Sequence, residues 1–274
     1  MKKKTILITG ASSGIGLATA KFFHEQGWNV AATMRKPDSV DLVESEGLKK
    51  YALDVLSKEQ IQSAVSQIIE DFGGLDVLVN NAGYGTAGPL EAASEAQIRH
   101  QFDVNFFGVV DMIRAVVPKF REQGSGLIIN ISSIGGLITL PFFSVYHGTK
   151  WAMEGLTESL RFELNPFGIQ LKIVEPGGVN TDFSGRSLVM FDLSEHTEYA
   201  GDIERYVKNF APDSGREENY STPRQMAESI YTAATDGKEQ LRYISGADAQ
   251  AMYARRQEVG TEAFMTELRK MMLD

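Results

Sequence analysis

Short apolar, β-rich runs alternate with longer segments whose apolar residues recur at helical spacing. Residues 5–9 read as a buried strand that ends in a glycine turn. Residues 14–26 follow as a helix, with Ile15, Ala18, Phe22 and Phe23 on one face and Gly27 as its stop. Residues 29–34 and 48–53 are the next two strands, and Ile61, Val65, Ile68 and Ile69 stripe a helix after them. Residues 75–79 are almost purely apolar, as a strand covered on both faces should be. The rhythm continues with a helix over 103–120, a strand over 127–131, a helix over 146–165 and a strand over 171–174. It ends with a helix over 223–236, a strand over 241–244 and a tail striped by Met265, Leu268, Met271 and Met272, as core or subunit interface.

This alternation implies parallel strands joined by right-handed helical crossovers. It predicts an α/β fold, a Rossmann-type doubly wound parallel sheet in three α/β/α layers, with ligands at the carboxyl ends of the strands. No linker or low-complexity run divides the chain, so a single domain over 1–274 is expected. Residues 184–222 break the pattern: Phe191, Tyr199, Tyr206, Phe210 and Tyr220, with Phe183 just before them, stand among charges. Such a stretch reads as a lid over an apolar substrate or as a helical excursion packed on the surface.

Net charge is −9, which argues against nucleic acid or an anionic membrane surface as partner. There is no cysteine, so disulfides and thiolate chemistry are excluded. The four histidines lack metal-site spacing, and no metal is expected. The apolar run after Lys2-Lys3-Lys4 is too short for a signal core or a membrane span, which makes the cytoplasm the expected location.

Between the first strand and helix lies Thr9-Gly10-Ala11-Ser12-Ser13-Gly14-Ile15-Gly16. Glycines there bring backbone N–H groups close to a phosphate, the helix N-terminus adds partial positive charge, and Ser12 and Ser13 offer hydroxyls. The spacing is not the Gly-x-Gly-x-x-Gly dinucleotide fingerprint, and any strand-to-helix turn can use glycine. At the end of the second strand a dinucleotide site commonly places an acid on the ribose 2′-hydroxyl. This chain has Arg35-Lys36 instead. Arg35 suits a 2′-phosphate, favouring NADP(H) over NAD(H); the alternative is a solvated turn. Asp54-Val55 offers a carboxylate to an adenine amino group, and Asn80-Asn81-Ala82-Gly83 permits close backbone approach, though both are compatible with ordinary turns.

Tyr146-x-x-x-Lys150 opens a helix, so phenol and ammonium share one face. A nearby cation favours the phenolate and lowers the tyrosine from its ordinary pKa of about 10. The bare pair proves little, but Ser133 ends a strand at the same edge. Asn105 is polar within an apolar stretch and needs partners, either in a proton relay or in a structural helix bond.

Together these motifs resemble the short-chain dehydrogenase/reductase family in its single-domain branch: Thr9-Gly10-x-x-x-Gly14-Ile15-Gly16, Asn80-Asn81-Ala82-Gly83, Asn105, Ser133, Tyr146-x-x-x-Lys150 and Pro176-Gly177-Gly178-Val179-x-Thr181. The resemblance implies a catalytic set of Asn105, Ser133, Tyr146 and Lys150. Tyr146 exchanges a proton with the substrate oxygen, and Ser133 orients the carbonyl. Lys150 binds the nicotinamide ribose and depresses the tyrosine pKa, and Asn105 holds a water. The resemblance also implies that Gly10, Ser12, Ser13, Gly14 and Ile15 line the pyrophosphate, with Arg35 at the 2′-phosphate and Asp54 and Val55 at adenine. Asn81, Ala82 and Gly83 lie along the adenosine, and Pro176, Gly177, Val179 and Thr181 at the carboxamide. Two features depart from the family pattern: His147-Gly148-Thr149 between tyrosine and lysine, and a Met-bearing tail after Tyr243-Ile244-Ser245-Gly246. A homodimer or homotetramer is the family expectation; the tail leaves dimer or monomer open. Leu140, Phe142, Phe143, Met190 and Phe191 point to an apolar pocket for a small hydrophobic ketone, aldehyde or alcohol. Two other readings are a nucleotide-sugar epimerase or dehydratase and a non-catalytic NAD(P)-sensing module.

Overall fold

The computed structural model describes residues 3–181, 187–210 and 220–274. Its strands are β1 (Thr5–Ile8), β2 (Asn29–Met34), β3 (Leu48–Ala52), β4 (Val77–Asn80), β5 (Gly85–Ala87), β6 (Gly126–Ile131), β7 (Ile169–Pro176), β8 (Leu188–Met190) and β9 (Arg242–Ser245). Seven of them form the main sheet, all parallel, in the order β3-β2-β1-β4-β6-β7-β9. The helices between them are α1 (Gly14–Glu25), α2 (Lys58–Phe72), α3 (Glu95–Phe102), α4 (Gly108–Gln123) and α5 (Ser144–Leu164). Later come α6 (Ala200–Phe210), α7 (Pro223–Thr235), α8 (Ala247–Val259) and α9 (Thr261–Met272).

Strand residues alternate between two buried faces, which is why the strands read as continuous apolar runs. Ile6, Ile8, Val30, Val77, Val79 and Ile129 enter the core beneath α1 and α7. Leu7, Ala31, Leu78 and Ile128 enter the opposite core with Ile61, Val65, Met112 and Met153. The doubly wound three-layer architecture is therefore as the sequence indicates. Strand order reverses between β1 and β4, and a crevice at their carboxyl ends follows from that reversal.

Four features differ from the sequence reading. The helix expected over 103–120 begins at Glu95, capped by Ser94 and Gln97 in a capping box, and passes through a π-turn at Asp103–Phe107. The two three-residue strands β5 and β8 form a separate parallel pair. The tail is split at Gly260 into two helices, and its buried stripe is Phe264, Leu268 and Met272, with Met265 and Met271 exposed. Residues 187–210 form β8, a short turn and α6, a strand and helix that no period in this stretch marks; Phe183, residues 184–186 and 211–219 and the Phe210 side chain lie outside the described residues.

Candidate active site

At the switch point, β1 runs out into Thr9 and Gly10, and β4 into Asn81, Ala82 and Gly83. The buried Thr9 hydroxyl oxygen accepts the N–H groups of Asn81 and Ala82, each at 3.0 Å. Asn81 Nδ2 donates back to the carbonyls of Thr9 at 2.9 Å and Gly10 at 3.1 Å. Gly10 has φ +66°, and a Cβ there would stand 2.8 Å from Ala82 Cα, so only glycine lets the two loops meet.

The first turn of α1 starts from this junction. Ser13 is its N-cap but makes no side-chain cap bond, so donors of the first turn are kept for another partner. Ser12 is exposed, and Ser13 and Ile15 are half-buried. A Cβ on Gly14 would reach within 3.4 Å of Thr181 Cγ2, which puts Thr181 opposite the helix start. Arg35 and Lys36 stand exposed just past β2. Asp54 Oδ1 accepts the Leu56 N–H at 3.0 Å, and Val55 packs on Gly108 at the head of α4. Beyond Pro176, the Gly177 N–H donates to the Ser245 carbonyl at 2.9 Å, and Val179 bridges to Ser221.

A second group gathers at the end of β6. Ser133 accepts the Gly135 N–H at 3.0 Å and shares a hydrogen bond with the Tyr146 hydroxyl. Lys150 is buried; its ammonium donates to the Ile131 carbonyl at 2.9 Å and lies 5.7 Å from the Tyr146 ring centroid. Burial raises the Tyr146 pKa above its ordinary value, opposed by the Ser133 hydrogen bond. Burial also lowers Lys150 to about 8, opposed by the charge of Glu154. The expected lowering of the phenol by Lys150 is therefore not met. The reason is that desolvation of the phenol dominates and the ammonium is directed to Ile131.

Asn105 sits in the π-turn and is buried. Its Oδ1 accepts the Tyr84 N–H at 3.1 Å, and its Nδ2 donates to the Tyr84 carbonyl at 2.8 Å and to Thr149 Oγ1 at 3.2 Å. Thr149 in turn donates to the Tyr146 carbonyl at 2.7 Å. The Asn105 amide thus braces β5's approach and the first turn of α5.

Sequence reasoning missed two residues between Tyr146 and Lys150. Thr149 is the link just described, and a threonine that bonds back within its own helix is the signal that was available. His147 is buried, accepts the Leu140 N–H through Nδ1 at 3.3 Å and stacks on Phe143 with ring centroids 5.9 Å apart. Burial lowers its pKa to about 4.

The expected apolar pocket is divided. Phe191 is buried over Gly88, while Met190 is exposed. Phe142 adopts φ +67°, unusual for a bulky residue, and its carbonyl accepts the Gly88 N–H at 2.7 Å. Tyr206 of α6 meets Phe142 edge-on at 5.8 Å, and Phe143 meets Tyr146 at 6.3 Å, so an aromatic row runs from α6 to the phenol. A hollow of about 410 Å³ adjoins it, lined by Leu140, Phe142, His147 and Trp151 among others, but not by Ser133 or Tyr146. Although the histidines are far apart in sequence, His196 comes together with Glu91 and Glu198, their ligand atoms within 4.8 Å; Glu91 there accepts the Tyr199 hydroxyl. Among the described residues no helix is long and apolar enough to cross a membrane.

The family model for short chain dehydrogenase matches residues 4–188. The 3-ketodihydrosphingosine reductase of Bacteroides thetaiotaomicron is 38% identical over 258 residues, covering 93% of this chain and 92% of that protein. A short-chain dehydrogenase from Streptomyces avermitilis superimposes with a TM-score of 0.82 at 33% identity, covering 98% of this chain and 96% of the other. A short chain dehydrogenase from Burkholderia cenocepacia, in complex with NADP, gives a TM-score of 0.77 at 25% identity over 97% of this chain and 98% of its own. With these matches spanning the sheet, the crevice and the Ser133–Tyr146–Lys150 group, the chain belongs to the short-chain dehydrogenase family of oxidoreductases.

Proposed function

We propose that this protein is an NADP(H)-dependent oxidoreductase that interconverts a ketone or aldehyde and an alcohol, with Tyr146 as acid/base. The observation that carries the reading is the hydroxyl pair of Ser133 and Tyr146, hydrogen-bonded at the carboxyl edge of the sheet with buried Lys150 one helical turn on. The crevice fits a dinucleotide: α1 keeps its first-turn donors, and the gap between Gly14 and Thr181 is one that a Cβ would fill. Gly10, Ser12, Ser13 and Ile15 would hold the pyrophosphate, Asp54 and Val55 the adenine side, and Ala82 and Gly83 the adenosine. Pro176, Gly177, Val179 and Thr181 would hold the carboxamide end. When bound, the nicotinamide supplies or accepts the hydride.

The residues of this chain do the rest. Ser133 holds the substrate oxygen toward Tyr146. Because burial keeps the phenol protonated, Tyr146 is set to donate its proton to that oxygen as a carbonyl is reduced. Lys150 supplies positive charge beneath the phenol and a donor to the ribose. Asn105 fixes the head of α5 through Thr149. The aromatic row from Tyr206 to Phe143 supports an apolar substrate, with residues 187–210 covering it as part of a lid.

The nucleotide preference rests on Arg35, which stands where an acid would favour NAD(H). Titration with NADPH and NADH, followed by quenching of Trp28 and Trp151, tests it. NADPH should bind at least about tenfold more tightly, and Arg35→Ala should erase the difference. Equal affinities in the wild type would remove the NADP(H) assignment; binding of neither nucleotide would remove the dehydrogenase reading.

A further inference from the structure

The tail after Ser245-Gly246 departs from the family pattern, and its first turn reaches back to the end of β7. Asp248 stands in that first turn of α8, where the helix dipole favours an acid. Its Oδ2 accepts the Gly178 N–H at 2.7 Å. A Cβ on Gly177 would overlap both oxygens of the same carboxylate, and one on Gly246, at φ +108°, would stand 2.6 Å from Oδ1. A Cβ on Gly178 would run into the Tyr220 ring. The glycines of Pro176-Gly177-Gly178 thus make room for neighbours from the carboxyl-terminal part of the chain. The rest of the turn is held by backbone alone: Gly177 N–H on the Ser245 carbonyl, Ser221 N–H on the Gly178 carbonyl and Asn180 N–H on the Ser221 carbonyl, each at 2.9 Å.

Resting on the reading of residues 176–181 as the cradle of the carboxamide, we propose that Asp248 is a positioning residue for the nicotinamide end of the cofactor. It acts through Gly178. Two consecutive glycines have no side chains to pack and wide backbone freedom, so the shape of this turn depends on its hydrogen bonds. Asp248 supplies one of them from a side chain, and it is seated on a helix, which fixes the carboxylate in place. Without it the Gly178 N–H is stranded and the turn is free to rotate, carrying Val179 and Thr181 with it. Thr181 stands opposite Gly14 at the start of α1, so a displaced turn changes the gap at the nicotinamide side of the crevice. The adenine and 2′-phosphate sides, at Asp54 and Arg35, belong to the other half of the sheet, beyond β2 and β3.

The test is calorimetric titration of the full-length protein with NADPH and with 2′-phospho-ADP-ribose, which has the adenosine, 2′-phosphate and pyrophosphate but no nicotinamide. The wild type should bind NADPH more tightly than the fragment. Asp248→Ala should keep the fragment affinity within about twofold and lose about tenfold for NADPH. Asp248→Asn, which keeps an oxygen acceptor of the same reach, should restore NADPH binding. Should Asp248→Ala fail to fold, Asp248→Leu fills the same space without an acceptor and should show the same selective loss. Equal losses for NADPH and the fragment, or no loss for either, overturn the proposal. The reading it rests on fails differently: a wild type that binds NADPH no more tightly than the fragment has no carboxamide cradle at residues 176–181, and Asp248 then has no nicotinamide to position.

Discussion

Thr9→Val tests how the switch point is built. Threonine and valine have the same shape, so the packing of this fully buried side chain is kept and only the hydroxyl is lost. That hydroxyl accepts the N–H groups of Asn81 and Ala82 at 3.0 Å, and neither N–H has a second acceptor among the described residues. A buried donor left without a partner costs about 1–3 kcal/mol, and the additional methyl offsets about 0.8 kcal/mol. With two donors stranded, the expected loss is about 1–5 kcal/mol, or roughly 2–10 °C in melting temperature for a chain of this size. Since Asn81 also holds the Thr9 and Gly10 carbonyls, the loosened junction should weaken NADPH binding about tenfold. Calorimetric melting and isothermal titration measure both quantities, with Thr9→Ser as the control that keeps the hydroxyl and the affinity. If Thr9→Val melts and binds NADPH like the wild type, the two strand ends are not held together in this way.

Two further predictions concern the head of α5. Thr149→Val removes the partner of the Asn105 amide and of the Tyr146 carbonyl, so turnover should fall about tenfold while NADPH affinity is kept; equal losses in both would indicate general damage instead. His147, held neutral by burial with its pKa lowered to about 4 from 6.5, contributes stability that is full above pH 6.5 and is lost as pH falls toward 4. His147→Asn, which can still accept the Leu140 N–H, should flatten the pH dependence of melting in that window by about 3 kcal/mol, whereas a parallel decline in both proteins would place the acid sensitivity elsewhere.

How far the sequence reached depends on the range of each signal. The alternation of Ile6, Leu7 and Ile8 between two cores is local, and it makes the parallel sheet readable. The start of α3 was also marked, by Ser94 with Gln97 three residues on, but the segment between carries little apolar periodicity to extend the helix backward. Strands β5 and β8 are too short to leave a period, and they pair across a hundred intervening positions. At the site, Ser133, Tyr146, Lys150 and Asn105 were legible as residue types in order. Their electrostatics were not, because the shifts of Tyr146 and Lys150 are set chiefly by burial, which depends on how distant segments pack over them. Likewise, the contact of Phe142 with Tyr206 depends on where α6 packs, which no local pattern carries.

The most direct test of the central claim is Tyr146→Phe, assayed in parallel for NADPH binding and for NADPH oxidation against a panel of apolar ketones and aldehydes. The wild type should reduce members of this panel. The variant should bind NADPH within about twofold of the wild type and lose about 10²–10⁴-fold in turnover. Turnover that survives the loss of the hydroxyl would show that the proton comes from another group and would contradict the acid/base role of Tyr146.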